Sequence, residues 1–125
     1  MTDITPLVPA DRQFIQAYGD GGFKISERRY SGPVIVFPDR TIDWPVARIE
    51  DLSAESLHAV ESAGEQVELL LIGCGRSIAP VPSAVRQAVR GWGAVVEPMD
   101  TGAACRTYNV LLTEGRRVAA ALIPV

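Results

Sequence analysis

The chain has 125 residues, of which 47% are hydrophobic and 22% are charged. This length and composition are typical of a single globular domain and exclude disorder along the whole chain. The formal net charge of −3 leaves no excess of basic residues to cover a phosphate backbone, so we predict that the protein does not bind nucleic acid.

The first segment, residues 1–11, is predicted to be a loosely ordered lead-in, because its two prolines oppose regular structure. It carries Asp3 in place of a basic region and has no long apolar run, so we expect neither a signal peptide nor a transit peptide. The longest apolar stretch, residues 118–125, is too short to span a bilayer. We therefore expect one cytoplasmic domain over residues 1–125 that does not cross a membrane.

Short strands separated by turns are predicted up to residue 48. The predicted strands are residues 14–18, 23–26 and 34–37, and a fourth in which Ile42, Trp44 and Val46 alternate. Residues 34–37 are continuously apolar, so both faces of this strand are expected to be buried. The turn spacing predicts an antiparallel meander of about four strands.

A short helix is predicted over residues 54–63. Ser53 is a good N-cap, and Leu52 and Leu57 occupy the two positions of a hydrophobic staple. The only histidine of the chain, His58, lies on this helix with no carboxylate or nucleophile at a telling spacing, so we expect it to be at the surface or half-buried, without a catalytic role.

From residue 69 onwards the predicted elements alternate between strand and helix. Strands are predicted over residues 69–72, 94–97 and 118–123, with one helix starting near Pro82 and a second capped by Asp100 or Thr101. A β-α-β-α-β succession of this kind predicts a parallel arrangement with right-handed crossovers.

Gly73, Cys74 and Gly75 follow the first strand of this unit. Two glycines there favour a tight turn and a close backbone approach, but a dinucleotide loop would need a third glycine and an immediate helix. Cys74 is either a nucleophile or, in the favoured interpretation, a small residue that fits the turn. Cys105 is expected in the core, and both cysteines lie outside any CxxC spacing, which is typical of a reducing compartment.

The loop with Met99 and Thr101 follows the next strand and starts a helix. If the two strands are parallel neighbours, this loop and the Gly73–Gly75 turn share the carboxyl edge of the sheet, where open α/β sheets bind ligands. Backbone N–H groups at the helix start favour an anion, with Arg106 as its side-chain partner. This edge is therefore the candidate ligand site.

The predicted last helix has an unusual polar face. Its buried stripe is expected to comprise Ala104, Tyr108, Leu111 and Leu112. Arg106, Asn109, Val110 and Thr113 are expected opposite that stripe, although asparagine is a mediocre helix former. We expect this face to contact the preceding meander, a ligand or a partner protein. The sequence presents no catalytic set, metal cluster or cofactor motif, so none is assigned.

Several segments of the chain resemble one known family. They are EPMDT at 97–101, Ala104, RTYNVL at 106–111, EGR at 114–116, VAAAL at 118–122, LLIG at 70–73, Gly75 and the strand that contains Trp44. They resemble a family of small domains of unknown function that includes the third assembly factor of mitochondrial respiratory complex I. The resemblance covers about residues 14–124, although relatives commonly carry Thr where this chain has Cys74.

The resemblance implies a single three-layer α/β domain with a mixed sheet, loosely Rossmann-like but without a dinucleotide site. Together with the absence of a catalytic set, it favours a non-enzymatic assembly factor whose partners are respiratory complex I subunits or assembly proteins, with any membrane association made through a partner. The expected lack of a transit peptide favours a bacterial protein. The family has no established catalytic residues to carry over. The alternative function is a small-molecule or anion-binding protein, or an enzyme, with its site at Gly73–Gly75 and Met99–Arg106.

Overall fold

The computed structural model describes residues 2–3 and 11–125. The strands of the amino-terminal half are β1 (Thr2–Asp3), β2 (Ile15–Gly19), β3 (Gly22–Ile25), β4 (Arg28–Ser31), β5 (Val34–Phe37) and β6 (Arg40–Asp43). Apart from β1, the predicted lead-in falls almost entirely outside the described residues.

The carboxyl-terminal half is the predicted alternating unit, preceded by a short helix. Its elements are α1 (His58–Ala63), β7 (Leu69–Gly73), α2 (Ser83–Gly91), β8 (Val95–Met99), α3 (Thr101–Thr113) and β9 (Val118–Leu122). Single 3₁₀ turns at Ile49–Asp51, Glu55–Leu57 and Gly64–Gln66 flank α1. The helix expected over residues 54–63 is thus a 3₁₀ turn continued by α1, with Ser53 Oγ accepting the Ser56 N–H at 3.1 Å.

The described strands form two sheets. A small antiparallel sheet has the order β1-β2-β3-β4, and a mixed sheet has the order β6-β5-β9-β7-β8. In the mixed sheet β7 is parallel to β8 and β9, whereas β5 is antiparallel to β9 and β6. The mixed sheet and the α/β class are as predicted, but the expected meander is divided between the two sheets.

The strand β4 has no counterpart among the predicted elements. Its residues are largely exposed at the edge of the small sheet, so they carry no alternation of apolar and polar side chains. The hairpin that leads into it turns at Ser26 and Glu27, both with positive φ (46° and 71°). Such turns are normally marked by Asn or Gly, and the sequence offers neither at these two positions.

The mixed sheet lies between two apolar cores, which gives three layers. One core contains Leu57, Val60, Val85 and Val89 from the segment around α1 and from α2. The other contains α3 residues together with residues of the small sheet, such as Tyr108 and Phe23. The small sheet and α3 therefore cover one face of the mixed sheet, and α1 and α2 cover the other.

Successive residues of the central strands alternate between these cores. In β5, Ile35 and Phe37 enter the core beside α1 and α2, whereas Val34 and Val36 enter the core beside α3. Every residue of β5 and β9 is buried. This is the reason that a sheet covered on both faces has continuously apolar strands instead of an alternating pattern.

Helix α3 begins and ends with well-formed caps. Asp100 is its N-cap and accepts a hydrogen bond from the Ala103 N–H at 2.9 Å, so Asp100 and not Thr101 is the capping residue. At the other end Gly115 has φ 75°, and the Arg116 N–H donates to the Leu111 carbonyl at 2.9 Å. These caps hold the helix over the mixed sheet with its first turn beside the ends of β7 and β8.

Among the described residues, we find no helix that is both long enough and apolar enough to cross a bilayer.

Candidate functional site

A shallow, open cleft of about 250 Å³ lies where β7 and β8 end. It is lined by Tyr18, Gly75, Arg76, Asp100, Gly102, Arg106 and Val125. The ends of β7 and β8 are neighbours, because Gly73 pairs with Met99 in the parallel register. The two loops that the sequence assigns to a common sheet edge therefore do share it.

The two glycines at the end of β7, Gly73 and Gly75, are each required for a different structural reason. A Cβ on Gly73 would lie 2.9 Å from Leu122 Cδ2 and 3.0 Å from Thr101 Oγ1, so only glycine lets the first turn of α3 come this close. Gly75 has φ 101°, a conformation that side chains strongly disfavour. The interpretation of this segment as a tight exit from a strand is confirmed.

Thr101 fastens the strand exit from behind the cleft. Its side chain is fully buried, and Oγ1 donates to the Ile123 carbonyl at 2.6 Å and accepts the Gly75 N–H at 2.9 Å. The Thr101 N–H in turn donates to the Gly75 carbonyl at 2.8 Å. One hydroxyl thus joins α3, the glycine turn and the segment after β9, and it does not line the cleft.

Cys74 points away from the cleft. Its side chain is buried in the core beside α1 and α2, and Sγ lies 3.6 Å from the Ile72 carbonyl oxygen and 3.8 Å from that of Ala79. Met99 is half-buried against the opposite core, and its carbonyl accepts the Cys74 N–H at 2.9 Å. Gly75 and Arg106 are therefore the residues of the predicted site that line the cleft, and the others support it.

The cleft is closed on one side by a pair of side chains from distant segments. Arg106 Nη1 donates to the Tyr18 hydroxyl at 2.8 Å. Gly102 leaves room for this pair, because a Cβ there would lie 2.7 Å from the Tyr18 hydroxyl oxygen and 3.2 Å from Arg106 Nη1. The pair joins α3 to β2 at the surface and fixes the direction of the Arg106 guanidinium.

Asn109, expected opposite the buried stripe of α3, is buried against the meander, which is one of the three contacts expected for this face. Its side chain is 4% exposed, and it accepts the Ile15 N–H at 3.1 Å and donates to the Ile15 carbonyl at 2.9 Å. The carboxamide therefore pairs with the backbone of β2 as a neighbouring strand would, and this part of α3 contacts the meander. Arg106, Val110 and Thr113 are exposed, and the Thr113 hydroxyl bonds to its own helix.

Two large apolar side chains are exposed on segments that also contribute residues to the cleft. Val110, one helical turn after Arg106, is 56% exposed, and Ile78, in the loop that contains Arg76, is 66% exposed. We use the name strand-exit surface for Tyr18, Arg76, Ile78, Arg106 and Val110. It combines an aromatic ring, two guanidiniums and two apolar side chains, a composition typical of protein interfaces.

Sequence reasoning missed part of the cleft lining for different reasons. Asp100 and Gly102 lie inside the loop that the sequence singles out, although neither was named as a residue of the candidate site. Tyr18 and Val125 come from β2 and from the segment after β9, and neither carries a local signal. Only the packing of β2 beside α3 brings Tyr18 to this edge.

The titratable side chains of α3 and the single histidine on α1 favour structure over reactivity. Burial raises the pKa of the Cys105 thiol to about 12, and burial likewise raises the pKa of Tyr108, whose hydroxyl donates to the Gln13 carbonyl at 2.9 Å. His58 is exposed and lies 3.8 Å from Glu61. In the part of the chain that the structure describes, no group of three or more His, Cys, Asp or Glu residues could hold a metal ion.

Comparison with known proteins identifies the family. The model of the family described as "Protein of unknown function (DUF498/DUF598)" matches residues 15–123, and the chain belongs to this family. An uncharacterized protein of Rhodobacter capsulatus is 37% identical over 111 residues, which are 89% of this chain and 84% of that protein. The resemblance seen in the sequence is thereby confirmed.

A eukaryotic relative and a solved structure extend the comparison. NADH dehydrogenase [ubiquinone] 1 alpha subcomplex assembly factor 3 of Xenopus tropicalis is 35% identical over 115 residues, or 92% of this chain. The chain spans 63% of the length of that relative. The crystal structure of a Bartonella henselae protein described as an outer membrane protein has a TM-score of 0.86 and 34% identity, and covers 93% of this chain and 98% of that one.

Proposed function

We propose that this protein is a non-enzymatic, protein-binding assembly factor that acts on subunits or assembly proteins of respiratory complex I. The relationship to assembly factor 3 of vertebrates carries the complex I part of the proposal. That relative is longer than this chain, so its activity and partners are transferred here only as part of the proposal.

The strand-exit surface is the proposed binding surface. Its carrying observation is the exposure of Val110, one helical turn after Arg106, and of Ile78, two residues after Arg76, since exposed apolar side chains together with arginines are common in protein interfaces. Thr101 and the two glycines of the turn hold the loops in place, so the surface is preformed. The guanidiniums of Arg76 and Arg106 favour an acidic patch on the partner.

The alternative of a ligand pocket at the same loops is less well supported. That hypothesis predicts an enclosed, partly polar cavity, whereas the cleft is shallow and open. Arg106 is directed to the Tyr18 hydroxyl, and the Cys74 thiol lies in the core. A shallow and open cleft of this kind suits a protein better than a small molecule, because small ligands bind in concave sites that bury most of their surface.

The proposal is tested by affinity capture of the tagged protein from its native host, followed by mass spectrometry. Extracts prepared with and without mild detergent separate partners in the membrane from partners outside it. We expect enrichment of complex I subunits or of proteins that assemble them. Peripheral association through a partner predicts that recovery from the membrane fraction requires the detergent, while the unbound protein is found in the cytoplasm.

A capture that yields only abundant background proteins in both extracts would count against the assembly role. A matched control is the same chain with Val110→Asp, which alters one exposed side chain of the proposed surface. Deletion of the gene provides a second, independent readout, because a complex I assembly factor predicts less fully assembled enzyme on native gels and restoration by the wild-type gene.

A further inference from the structure

A second concave site lies at the opposite edge of the mixed sheet. Its volume is about 230 Å³, and it is lined by Arg12, Phe37, Pro38, Asp39, Gln66, Gly115, Arg116 and Arg117. Arg117 directly precedes β9 and Glu68 directly precedes β7, so this pocket is at the starts of the parallel strands, whereas the strand-exit surface is at their ends. We use the name arginine pocket for this site.

The charges around the arginine pocket do not balance. Glu68 is shared, since Arg116 Nε lies 3.0 Å from one of its carboxylate oxygens and Arg117 Nη2 lies 3.0 Å from the other. Asp39 is paired with Arg40 at 2.9 Å. Among the described residues, the charged lining and its ion-pair partners comprise four guanidiniums and two carboxylates, which leaves an excess of positive charge: Arg12, Arg40, Arg116 and Arg117 against Asp39 and Glu68.

The guanidiniums are held in position by the fold. Arg117 Nη1 donates to the Glu65 carbonyl at 2.7 Å while Nη2 binds Glu68, so this side chain is fixed at two points. The carbonyls at the end of α3 accept N–H groups of Gly115 and Arg116, which reduces the negative potential of the helix end beside the pocket. A preformed cluster of this kind can bind an anion without ordering flexible side chains first.

We propose that the arginine pocket binds a small ligand through a phosphate group. Arg12 approaches from the segment before β2, and Arg116 and Arg117 approach from the connection between α3 and β9. A phosphate group offers three oxygens to three guanidiniums, whereas a carboxylate offers two, and guanidinium forks match phosphate geometry. The volume is below the range of about 300–1,000 Å³ that drug-sized ligands occupy, so the ligand is small.

The test is a titration of the isotopically labelled chain with sodium phosphate, followed by amide NMR at low ionic strength and compared with sodium chloride at equal ionic strength. We expect saturable shifts at the amides of Gln66, Gly115 and Arg116. Arg12→Gln and Arg116→Gln should each weaken binding about tenfold, because each removes a charge-assisted hydrogen bond. Arg90→Gln, which removes an exposed arginine in the last turn of α2, is the control and should bind like the wild type.

The source of the phosphate is distinguished by a second titration with glycerol 3-phosphate. Tighter binding than inorganic phosphate indicates an organic phosphate monoester, and equal binding indicates free phosphate. Arg12 has no role in the Arg116–Glu68 pair, so Arg12→Gln keeps the test valid if Arg116→Gln loses its fold. Phosphate shifts that only follow those of chloride, or saturable shifts that both pocket variants leave unchanged, would overturn the proposal.

Discussion

The carboxamide of Asn109 pairs with both backbone groups of Ile15, as a neighbouring strand would. It accepts the Ile15 N–H at 3.1 Å and donates to the Ile15 carbonyl at 2.9 Å. This contact joins α3 to β2 across most of the chain and places Tyr18, three residues further along β2, within reach of Arg106. The strand-exit surface therefore depends on a hydrogen-bond pair in the interior.

Replacing Asn109 with Ala should lower the free energy of unfolding by about 1–3 kcal/mol, because both polar groups of Ile15 lose a buried partner. Urea denaturation followed by circular dichroism measures the loss. Thr113→Ala is the matched control on the same helix, since its hydroxyl bonds only to backbone carbonyls of α3, and it should stay within about 0.5 kcal/mol of the wild type. Equal stabilities of the two variants would contradict this role of Asn109.

Thr101→Val should be destabilising by about 1–3 kcal/mol. The substitution keeps the shape of the side chain but leaves the Ile123 carbonyl and the Gly75 N–H without the hydroxyl that they share. Thr101→Ser keeps the hydroxyl and should retain most of the stability. If Val and Ser lower the denaturation midpoint equally, the hydroxyl is not the feature that fastens the strand exit.

Gly73→Ala should destabilise the fold, since its Cβ would lie within 3.2 Å of three atoms of Leu122 and Thr101, one of them backbone. Gly91→Ala near the end of α2 meets no atom within 4 Å and should be neutral or stabilising by up to about 1 kcal/mol. Thermal unfolding of the two variants, measured side by side, gives the comparison. A Gly73→Ala protein as stable as the wild type would show that the close approach can relax.

The salt bridge at Glu68 should make stability depend on pH in the acidic range. Hydrogen bonds from Arg116 and Arg117 hold the pKa of Glu68 below its usual 4.5. The contribution of the salt bridge to the free energy of unfolding is therefore fully present above the pKa of Glu68 in the unfolded chain. It is lost as the pH falls through the lower pKa of Glu68 in the folded protein. We expect the stability difference between wild type and Glu68→Gln to be largest at neutral pH and to shrink below pH 4.5. A difference that grows on acidification would contradict the assigned direction.

The two thiols should be unreactive in the folded protein. Cys105 is fully buried with its pKa raised to about 12, so it remains a thiol at pH 8, and Cys74 is buried in the opposite core. Ellman's reagent should modify neither residue in buffer and both in urea. Cys74→Ser and Cys105→Ser identify which thiol reacts. Rapid modification of Cys74 in the native protein would contradict its burial and favour the alternative interpretation of Cys74 as a nucleophile.

Much of the fold could be predicted from the sequence, because its signals are local. The apolar run of β5, the glycine after α3 and the capping residue before it each act within a few residues of the chain. The strand β4 could not be predicted, since an exposed edge strand needs no apolar pattern and its turn uses Ser26 and Glu27. The division of the meander into two sheets depends on which strand pairs with β9, and that pairing is non-local.

The candidate site was predictable in location but not in detail. Parallel strands bring their loops to one edge, so Gly75 and Arg106 could be assigned to a common site. Which of the three expected contacts Asn109 makes could not be predicted, because helical spacing gives the face of a residue but not what covers that face, and here β2 covers it. Tyr18 could not be found, because its contact with Arg106 follows from the same packing.

The most direct test of the proposed function is quantitative affinity capture with variants of the strand-exit surface. Val110→Asp and Arg106→Glu change exposed residues of α3, and Val95→Asp changes a side chain of similar exposure, 54% against 56% for Val110, at the start of β8. Native folding of each variant is verified first by its thermal unfolding. The account predicts that complex I subunits or assembly proteins are recovered with the wild type and with Val95→Asp, and that recovery falls at least about tenfold with Val110→Asp and Arg106→Glu. Equal recovery with all four proteins would contradict the assignment of this surface.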